Sequence, residues 1–479
     1  MSKIGIDAFG FYVPSLYVSM DTLAQHRGIA VEKLNRGLGL NKMSVPDVNE
    51  DAASFAANAL LNLFQNSAID PRSVGRIYLG TESALDASKP TATYAIEVVE
   101  EYFSTTYGER CFKNCDVLDM TFACIGAVDA LHNSLDWVKG DSNRKAIVIA
   151  SDLSKYELHS TGEYTQGAGA VAMLITHDPA ILSINDYWGV ATKSEGDFFK
   201  PRRTYKKAAI IKDVISQLEI DKTEQEIEDL MATSDSEFWS DPNKVIEVFK
   251  EEPVFDGQFS NACYSDRITE ALDHFSSQKP LSFLNDWQHI IFHLPYAFHG
   301  RRIIFDNWLS WIKSTELYNL IVSEYGPYTI ENQKEWLKSV SKSPLYKEFV
   351  AQKIAPGEKA SSDIGNMYTA SIFMSLLSML SVSFNEERDI SNDTVGFIAY
   401  GSGSKSKVFE AKIESSWKSR IASLKLFETL NNRFPIDIET YEKLHNNALN
   451  EHIEARGQVL VSHIATEENK KGLRLYSKS

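Results

Sequence analysis

The sequence predicts an α/β protein, and three observations carry that prediction. Short apolar runs alternate with amphipathic stretches of helical period along most of its 479 residues. That is the pattern of strands joined through helices in mostly parallel sheets. The stretch VLDMTFACIGAVDALHNSLDWV, residues 117–138, changes abruptly from strand to helix. A strand–glycine–strand ending occurs twice, as GAGAVAMLI and as VGFIAYGSGSKSKVFEA, which suggests two related halves.

Residues 4–13 read as a first strand, 21–27 as a helix and 51–65 as an amphipathic helix. GRIYLG (75–80) is a short strand that ends in the polar loop TESALDASKP, carrying Glu82, Asp86 and Lys89. Residues 91–103 are helical again. Residues 117–121 are apolar and partly β-branched, the look of a buried strand. From Cys124 onward Val128, Leu131, Leu135 and Val138 share one helical face. AIVIAS (146–151) ends at Asp152, and 170–175 is another strand. In the second half, 290–292 ends in His293-Leu294-Pro295, and 361–380 is a loop running into a long helix with Gly365 and Asn366 at its start. Residues 203–252 are highly charged, helical and without motifs, so they read as a surface insertion. The expected division is an N-terminal half (1–180), a C-terminal half (181–411) holding that insertion, and a helical extension (412–479).

Composition narrows the function. A hydrophobic fraction of 43% and a charged fraction of 24% are those of a soluble globular protein. The N-terminal MSKIGIDAFGFYVP lacks the order of a signal peptide, and the longest apolar run, 371–384, is too short and serine-rich to span a bilayer. Four cysteines without dense spacing suit a reducing cytoplasm. Cys111 and Cys115 have no second pair to complete a metal site. A net charge of −16 argues against nucleic acid or anionic membranes as partners. The expectation is a cytoplasmic protein with no membrane and no nucleic-acid partner.

Cys124 is the first candidate for chemistry. A strand that turns into a helix leaves the turn residue beside unpaired N–H groups, which favour a thiolate over a thiol whose ordinary pKa is about 8.5. A buried core cysteine is the competing reading.

The segments GTESALDASKP (80–90), FACIGA (122–127), SDLSKY (151–156), GAGAVAML (167–174), DFFKP (197–201), PVFDGQFSNACY (253–264), IFHLPY (291–296), GNMYTAS (365–371) and YGSGS (400–404), taken together and in order, closely resemble the 3-hydroxy-3-methylglutaryl-CoA synthase family of the thiolase superfamily. The resemblance implies a thiolase-like layered αβαβα fold of two pseudo-twofold-related halves, and a homodimer. It also implies a Claisen-type condensation: acetyl-CoA acylates a cysteine, the acetyl group loses a proton and attacks acetoacetyl-CoA, and hydrolysis releases HMG-CoA. This is the condensation of the mevalonate route to isoprenoids. No cofactor and no metal are implied, because the thioester supplies the activation.

Carried over residue by residue, the resemblance makes Cys124 the nucleophile and Glu82 the general acid/base. His293 becomes the histidine that contacts the acetoacetyl group. His289 and His299 flank it, and the residues alone do not choose among the three. Asn366 would hold a substrate carbonyl, although asparagine also commonly opens helices. Ser402 lies in a loop whose N–H groups suit an oxyanion hole, or simply make a tight turn. Tyr368, Asp197 and Phe198 match pocket-lining positions; Asp86 and Asp152 match too, and equally fit supporting acids. Lys200 and Arg301, with Lys89, Arg202 and Arg302, are candidates for the CoA phosphates.

Three positions depart from the family. Phe298 replaces a lysine usual five residues after the motif histidine and is followed by His299, Ile125 stands where an aromatic often follows the nucleophile, and Ala87 replaces a lysine. These changes bear on how the carrier is held, so a relative that performs β-branching on substrates bound to acyl carrier protein is the alternative. A non-catalytic thiolase-fold scaffold is disfavoured by the presence of Cys124, Glu82 and His293 together. A β-ketoacyl carrier protein synthase would lack the glutamate loop.

Overall fold

Ten strands form one mixed sheet in the structure, a computed structural model that describes residues 3–478. They are β1 (Ile4–Tyr12), β2 (Arg76–Gly80), β3 (Asp116–Met120), β4 (Ala146–Leu153), β5 (Ala168–His177), β6 (Leu182–Ile184), β7 (Gly189–Thr192), β8 (His289–Phe292), β9 (Thr394–Gly401) and β10 (Lys405–Ile413). Their order is β8-β9-β10-β6-β1-β5-β4-β2-β3, with β7 also paired to β10.

The expectation of mostly parallel sheets is corrected. β2 runs parallel to β3 and β4, and β8 to β9. The pairings of β1 with β5 and β6, of β4 with β5, and of β10 with β6, β7 and β9 are antiparallel. The cause is connectivity. β5 follows β4, and β10 follows β9, through a loop rather than a crossover helix, so each returns reversed beside its predecessor.

The two halves repeat one plan. The order β2-β4-β5-β1 recurs as β8-β9-β10 followed by β6 and β7, with the same relative directions. The equivalent strands β1 and β6 meet antiparallel, as a local two-fold between them requires. Six helices complete the layers: α1 (Ala52–Ser67), α2 (Thr91–Tyr107), α3 (Gly126–Lys139), α4 (Gly257–Gln278), α5 (Ala355–Ile364) and α6 (Ser371–Asn385). α1 packs on β1, β4 and β5, and α4 packs on β7, β9 and β10 in the equivalent way.

Both faces of the central strands are covered. Val148, Val171 and Met173 join Val128 and Leu131 of α3 and Phe373 and Leu376 of α6, while Ile147, Ile149 and Leu174 join Phe55, Leu60 and Leu63 of α1. Strands buried on both sides need no polar alternation, which is why they read as unbroken apolar runs. The segment Tyr368–Asn385 is long and apolar enough to cross a membrane, but 89% of it is buried inside the protein; it is the central core helix. Its serines make the seam with α5, where Ser378 Oγ donates to the Pro356 carbonyl at 2.7 Å and accepts from the Ala360 N–H at 3.0 Å.

β3 departs from the buried strand expected of residues 117–121. It is the edge of the sheet and half exposed, with Leu118 at 41%. Apolar content alone does not separate an edge strand from a central one.

By compactness the chain divides into one unit made of residues up to Asp197 and from Gly257 onward, and a second, Phe198–Asp256. The second unit holds helices Lys207–Ser216, Glu224–Ala232 and Glu237–Ser240 around Ala208, Ile227 and Met231. It also contains an antiparallel ribbon, Arg202–Lys206 with Val245–Phe249, where the sequence had suggested helix alone. Val245, Ile246, Val248 and Phe249 supply the β-preferring residues.

The helical expectation for the tail holds only in part. Helices Trp417–Ile421, Leu426–Asn431 and Ile438–His445 are followed by a ribbon, Val459–Ile464 with Arg474–Lys478. That ribbon clamps the start of α1. Asp51 caps the helix through the N–H groups of Ala53 and Ser54 at 3.0 and 2.9 Å, and its other oxygen accepts from Arg474 and Tyr476, both at 2.9 Å.

Candidate active site

β2 and β3 end side by side, with Gly80 opposite Met120, and α3 starts six residues later at Gly126. Close approach at two glycines sets the geometry. A Cβ on Gly80 would lie 2.2 Å from the Ala127 nitrogen, and one on Gly126 would lie 2.6 Å from the Met120 carbonyl oxygen. The helix start therefore rests directly on the strand ends, and the chain must reverse within residues 121–125. Ala123 takes up the turn with φ of +39°, a conformation costing on the order of 1–3 kcal/mol for a residue with a side chain. The product is a half-buried Cys124 just ahead of the helix, with Sγ 2.8 Å from Glu82 Oε1.

Asp152, fully buried at the end of β4, organises the surroundings. One oxygen accepts from the Glu82 N–H at 2.7 Å and the Thr81 hydroxyl at 2.9 Å. The other accepts from the Thr369 N–H at 3.0 Å and hydroxyl at 2.5 Å. This one carboxylate ties the glutamate loop of the first half to the 365–370 loop of the second. Burial raises its pKa, against the four donors that lower it.

The second-half loop is built by the same close approach of backbones. A Cβ on Gly365, whose φ is +89°, would sit 1.9 Å from the Gln166 carbonyl oxygen. Asn366 is buried, and its Oδ1 accepts from the Tyr368 N–H at 2.8 Å and Ser371 Oγ at 3.1 Å. Its amide is thereby left for the Tyr156 hydroxyl, to which the Tyr368 side chain also hydrogen-bonds. Tyr156 and Tyr368 both have raised pKa values, from burial first and then from the neighbouring Cys124 and Glu82. Asn366 and Tyr368 therefore share one cluster with the nucleophile.

His293 follows β8, and Tyr264 Oη donates to its carbonyl at 2.8 Å. Its ring is buried, hydrogen-bonded to the Tyr368 backbone, and pushed down to a pKa of about 3 by burial. Nδ1 has no hydrogen-bond partner among the described residues. His299 is likewise pushed down to about 3 by burial. An unfolded histidine binds a proton below about 6.5, so these two sites bind fewer protons folded than unfolded between pH 6.5 and 3. Each therefore withdraws stability as pH falls through that window, by about 2 kcal/mol at pH 5. Glu50, raised to about 7 by burial, acts in the opposite sense between 7 and 4.5. The expected result is that His293→Gln narrows the stability gap to wild type on acidification. Urea unfolding at pH 7 and pH 5 checks this, and a gap independent of pH would refute it.

Asp197 and Ser402 meet at the glycine turn before β10. Asp197, fully buried, accepts from Tyr400 Oη at 2.7 Å and from the Gly403 N–H at 2.8 Å. Ser402 hydrogen-bonds to Tyr400. The Gly403 N–H is thus engaged by Asp197 rather than offered to an oxyanion. The turn packs on the nucleophile: a Cβ on Gly401 would lie 2.8 Å from the Phe122 oxygen. Lys405, immediately after it, pairs with Asp129 of α3 at 2.5 Å and covers the Phe122 ring.

Other candidates have different positions. Arg301, expected to meet a CoA phosphate, pairs with the buried Glu358 and stacks 3.7 Å from the Phe298 ring centre. Phe298 itself packs against Gly39. Phe198 and Lys200 belong to the second unit, where Phe198 pairs in register with Phe255. Asp86 accepts from the Ser88 and Lys89 N–H groups, both at 2.7 Å, and those bonds lower its pKa; it shapes the loop. No group of three His, Cys, Asp or Glu suited to a metal occurs among the described residues. The sequence reading did not single out Tyr156, Tyr264 and Thr369; their places within SDLSKY, PVFDGQFSNACY and GNMYTAS were the available signal.

Comparison with known proteins bears on this arrangement. Residues 1–180 match the family described as hydroxymethylglutaryl-coenzyme A synthase N terminal, and residues 242–462 match the C-terminal counterpart. A hydroxymethylglutaryl-CoA synthase of Haloferax volcanii is 28% identical over 460 residues, covering 93% of this chain and 92% of its own. One from Enterococcus faecalis is 25% identical over 452 residues, covering 94% of each. Among solved structures, MvaS in complex with 3-hydroxy-3-methylglutaryl coenzyme A superposes with a TM-score of 0.76 at 22% identity. The curacin biosynthetic pathway HMG synthase in complex with acetyl donor-ACP does so at 0.74 and 19%; both matches span the whole of each chain, and they show the fold. With a paired cysteine and glutamate between two halves of a thiolase-like fold, and both halves matched by the family, the chain belongs to the HMG-CoA synthases, enzymes that transfer acyl groups.

Proposed function

We propose that this enzyme condenses acetyl-CoA with acetoacetyl-CoA through an acetyl-S-Cys124 intermediate, giving HMG-CoA and CoA, the step that feeds a mevalonate route. The observation that carries the reading is the 2.8 Å contact between Cys124 Sγ and Glu82 Oε1. Cys124 attacks the acetyl thioester, CoA leaves as a thiol, and the acetyl group is held as a thioester of equal reactivity. Glu82 is then within reach of the acetyl methyl. It takes one proton, and the resulting carbanion attacks the ketone carbon of acetoacetyl-CoA, whose oxygen becomes the tertiary hydroxyl on protonation. Water cleaves the thioester to Cys124, restoring the thiol and freeing the new carboxylate. The buried, neutral His293 and the Asn366 amide suit the role of holding the acceptor.

A second reading has its own support. Phe298 and Arg301 leave two expected CoA-binding positions without an available cation, and the curacin pathway HMG synthase of like fold is found in complex with an acetyl donor-ACP. Acetylation of wild-type and Cys124→Ala protein is the test, with acetyl-CoA and acetylated carrier protein as donors. Labelling of wild type by acetyl-CoA, lost in Cys124→Ala, and HMG-CoA formation on adding acetoacetyl-CoA support the first reading. Labelling by carrier protein alone replaces it with β-branching, and labelling by neither removes both. A cytoplasmic homodimer is part of the proposal. The half-exposed edge strand β3, which ends at the nucleophile turn, supports pairing with a second copy, and sedimentation of the purified protein checks it.

A further inference from the structure

His293 is accompanied by a second buried histidine that the mechanism above does not use. His299 is only 2% exposed, and neither Nδ1 nor Nε2 has a hydrogen-bond partner among the described residues. Its ring lies 4.8 Å from Tyr264 and 4.8 Å from Tyr296, centre to centre, while Tyr264 is 6.2 Å from His293 and stacks on Tyr400 at 4.2 Å. The same Tyr264 hydroxyl feels the charge of Cys124, so this aromatic wall borders the nucleophile.

A neutral imidazole carries one N–H donor and one lone-pair acceptor. In His293 the hydrogen bond to the Tyr368 backbone engages the one ring proton and leaves Nδ1 as an acceptor. His299 has its proton uncommitted. Burying an unpaired donor costs about 1–3 kcal/mol, and such a cost persists where a bound group repays it.

Building on the reading proposed above, we infer that His299 supplies an N–H donor to the 3-oxo oxygen of the acceptor acyl group, making it a determinant of specificity for 3-oxoacyl thioesters. The condensation turns that oxygen from a carbonyl into an alkoxide. A fixed neutral donor beside it is worth more in the transition state than in the ground state.

The test compares binding of acetoacetyl-pantetheine with butyryl-pantetheine, which lacks the 3-oxo oxygen, to wild-type, His299→Phe and His299→Gln proteins. Pantetheine thioesters serve equally for CoA and carrier-protein substrates. Wild type is expected to prefer the acetoacetyl ester, His299→Phe to lose about tenfold of that preference, and His299→Gln, which keeps an N–H, to recover part of it. Butyryl binding and the rate of Cys124 acetylation should stay as in wild type. A wild-type preference retained in His299→Phe overturns the inference, as does an equal loss of both esters, which marks a structural role. Should His299→Phe not fold, His299→Met carries the same comparison. Loss of Cys124 acetylation in wild type is a separate result and bears on the proposed function instead.

Discussion

Glu82→Gln is expected to lower turnover by about 10²–10⁴-fold, the usual contribution of a positioned general base. Glutamine preserves the shape and the backbone bond to Asp152 but cannot take a proton from the acetyl methyl. The substitution should therefore separate the two halves of the reaction. Mass spectrometry of the intact variant, mixed with both substrates, is expected to find Cys124 acetylated and the product missing. Unchanged turnover would remove Glu82 from the proton transfer. An unacetylated cysteine would instead place the glutamate's main work in activating the thiol it touches at 2.8 Å.

Asp152→Ala should cost as much in stability as any single change near the site, on the order of 3–5 kcal/mol. It would strip partners from the N–H groups of Glu82 and Thr369 and from the Thr81 hydroxyl, and leave the Thr369 hydroxyl only the Gly80 carbonyl, around a carboxylate with no exposed surface. Activity should fall by about 100-fold in the fraction that remains folded, because the glutamate loop and the Asn366 loop lose their common anchor. Asp152→Asn, which keeps one good acceptor, should lie between. Thermal unfolding together with the rate of Cys124 acetylation checks both effects. A variant with wild-type stability would show that the clamp is dispensable.

Much of the chemistry could be read from the chain because it sits where secondary structure changes. The turn at Cys124 follows from a strand signal meeting a helix signal, and the motif loops bring Glu82, Asn366 and Asp197 to the ends of neighbouring strands. Strand direction was hidden. β4 and β5 are apolar on both faces, and such strands read alike whether they run parallel or reversed. The role of Arg301 was hidden as well, since a cation beside a motif reads the same whether it faces a phosphate or a buried Glu358. The departure at Phe298 was visible as a letter, but its consequence, a ring laid on Gly39 and under Arg301, depends on residues far apart in sequence. The terminal ribbon escaped for the same reason: its pairing partner at Asp51 lies 423 positions from Arg474.

That clamp has a consequence for how the protein is made. A chain that leaves the ribosome N-terminus first presents α1 long before the residues that complete its cap. Until they emerge, Asp51 can hold only the helix N–H groups and the neighbouring serine. Non-local contacts of this span are the slow ones in folding. The first half therefore finishes its packing only after the second has been synthesised, and a nascent chain halted in between carries an incomplete enzyme with its earliest long helix still unclamped.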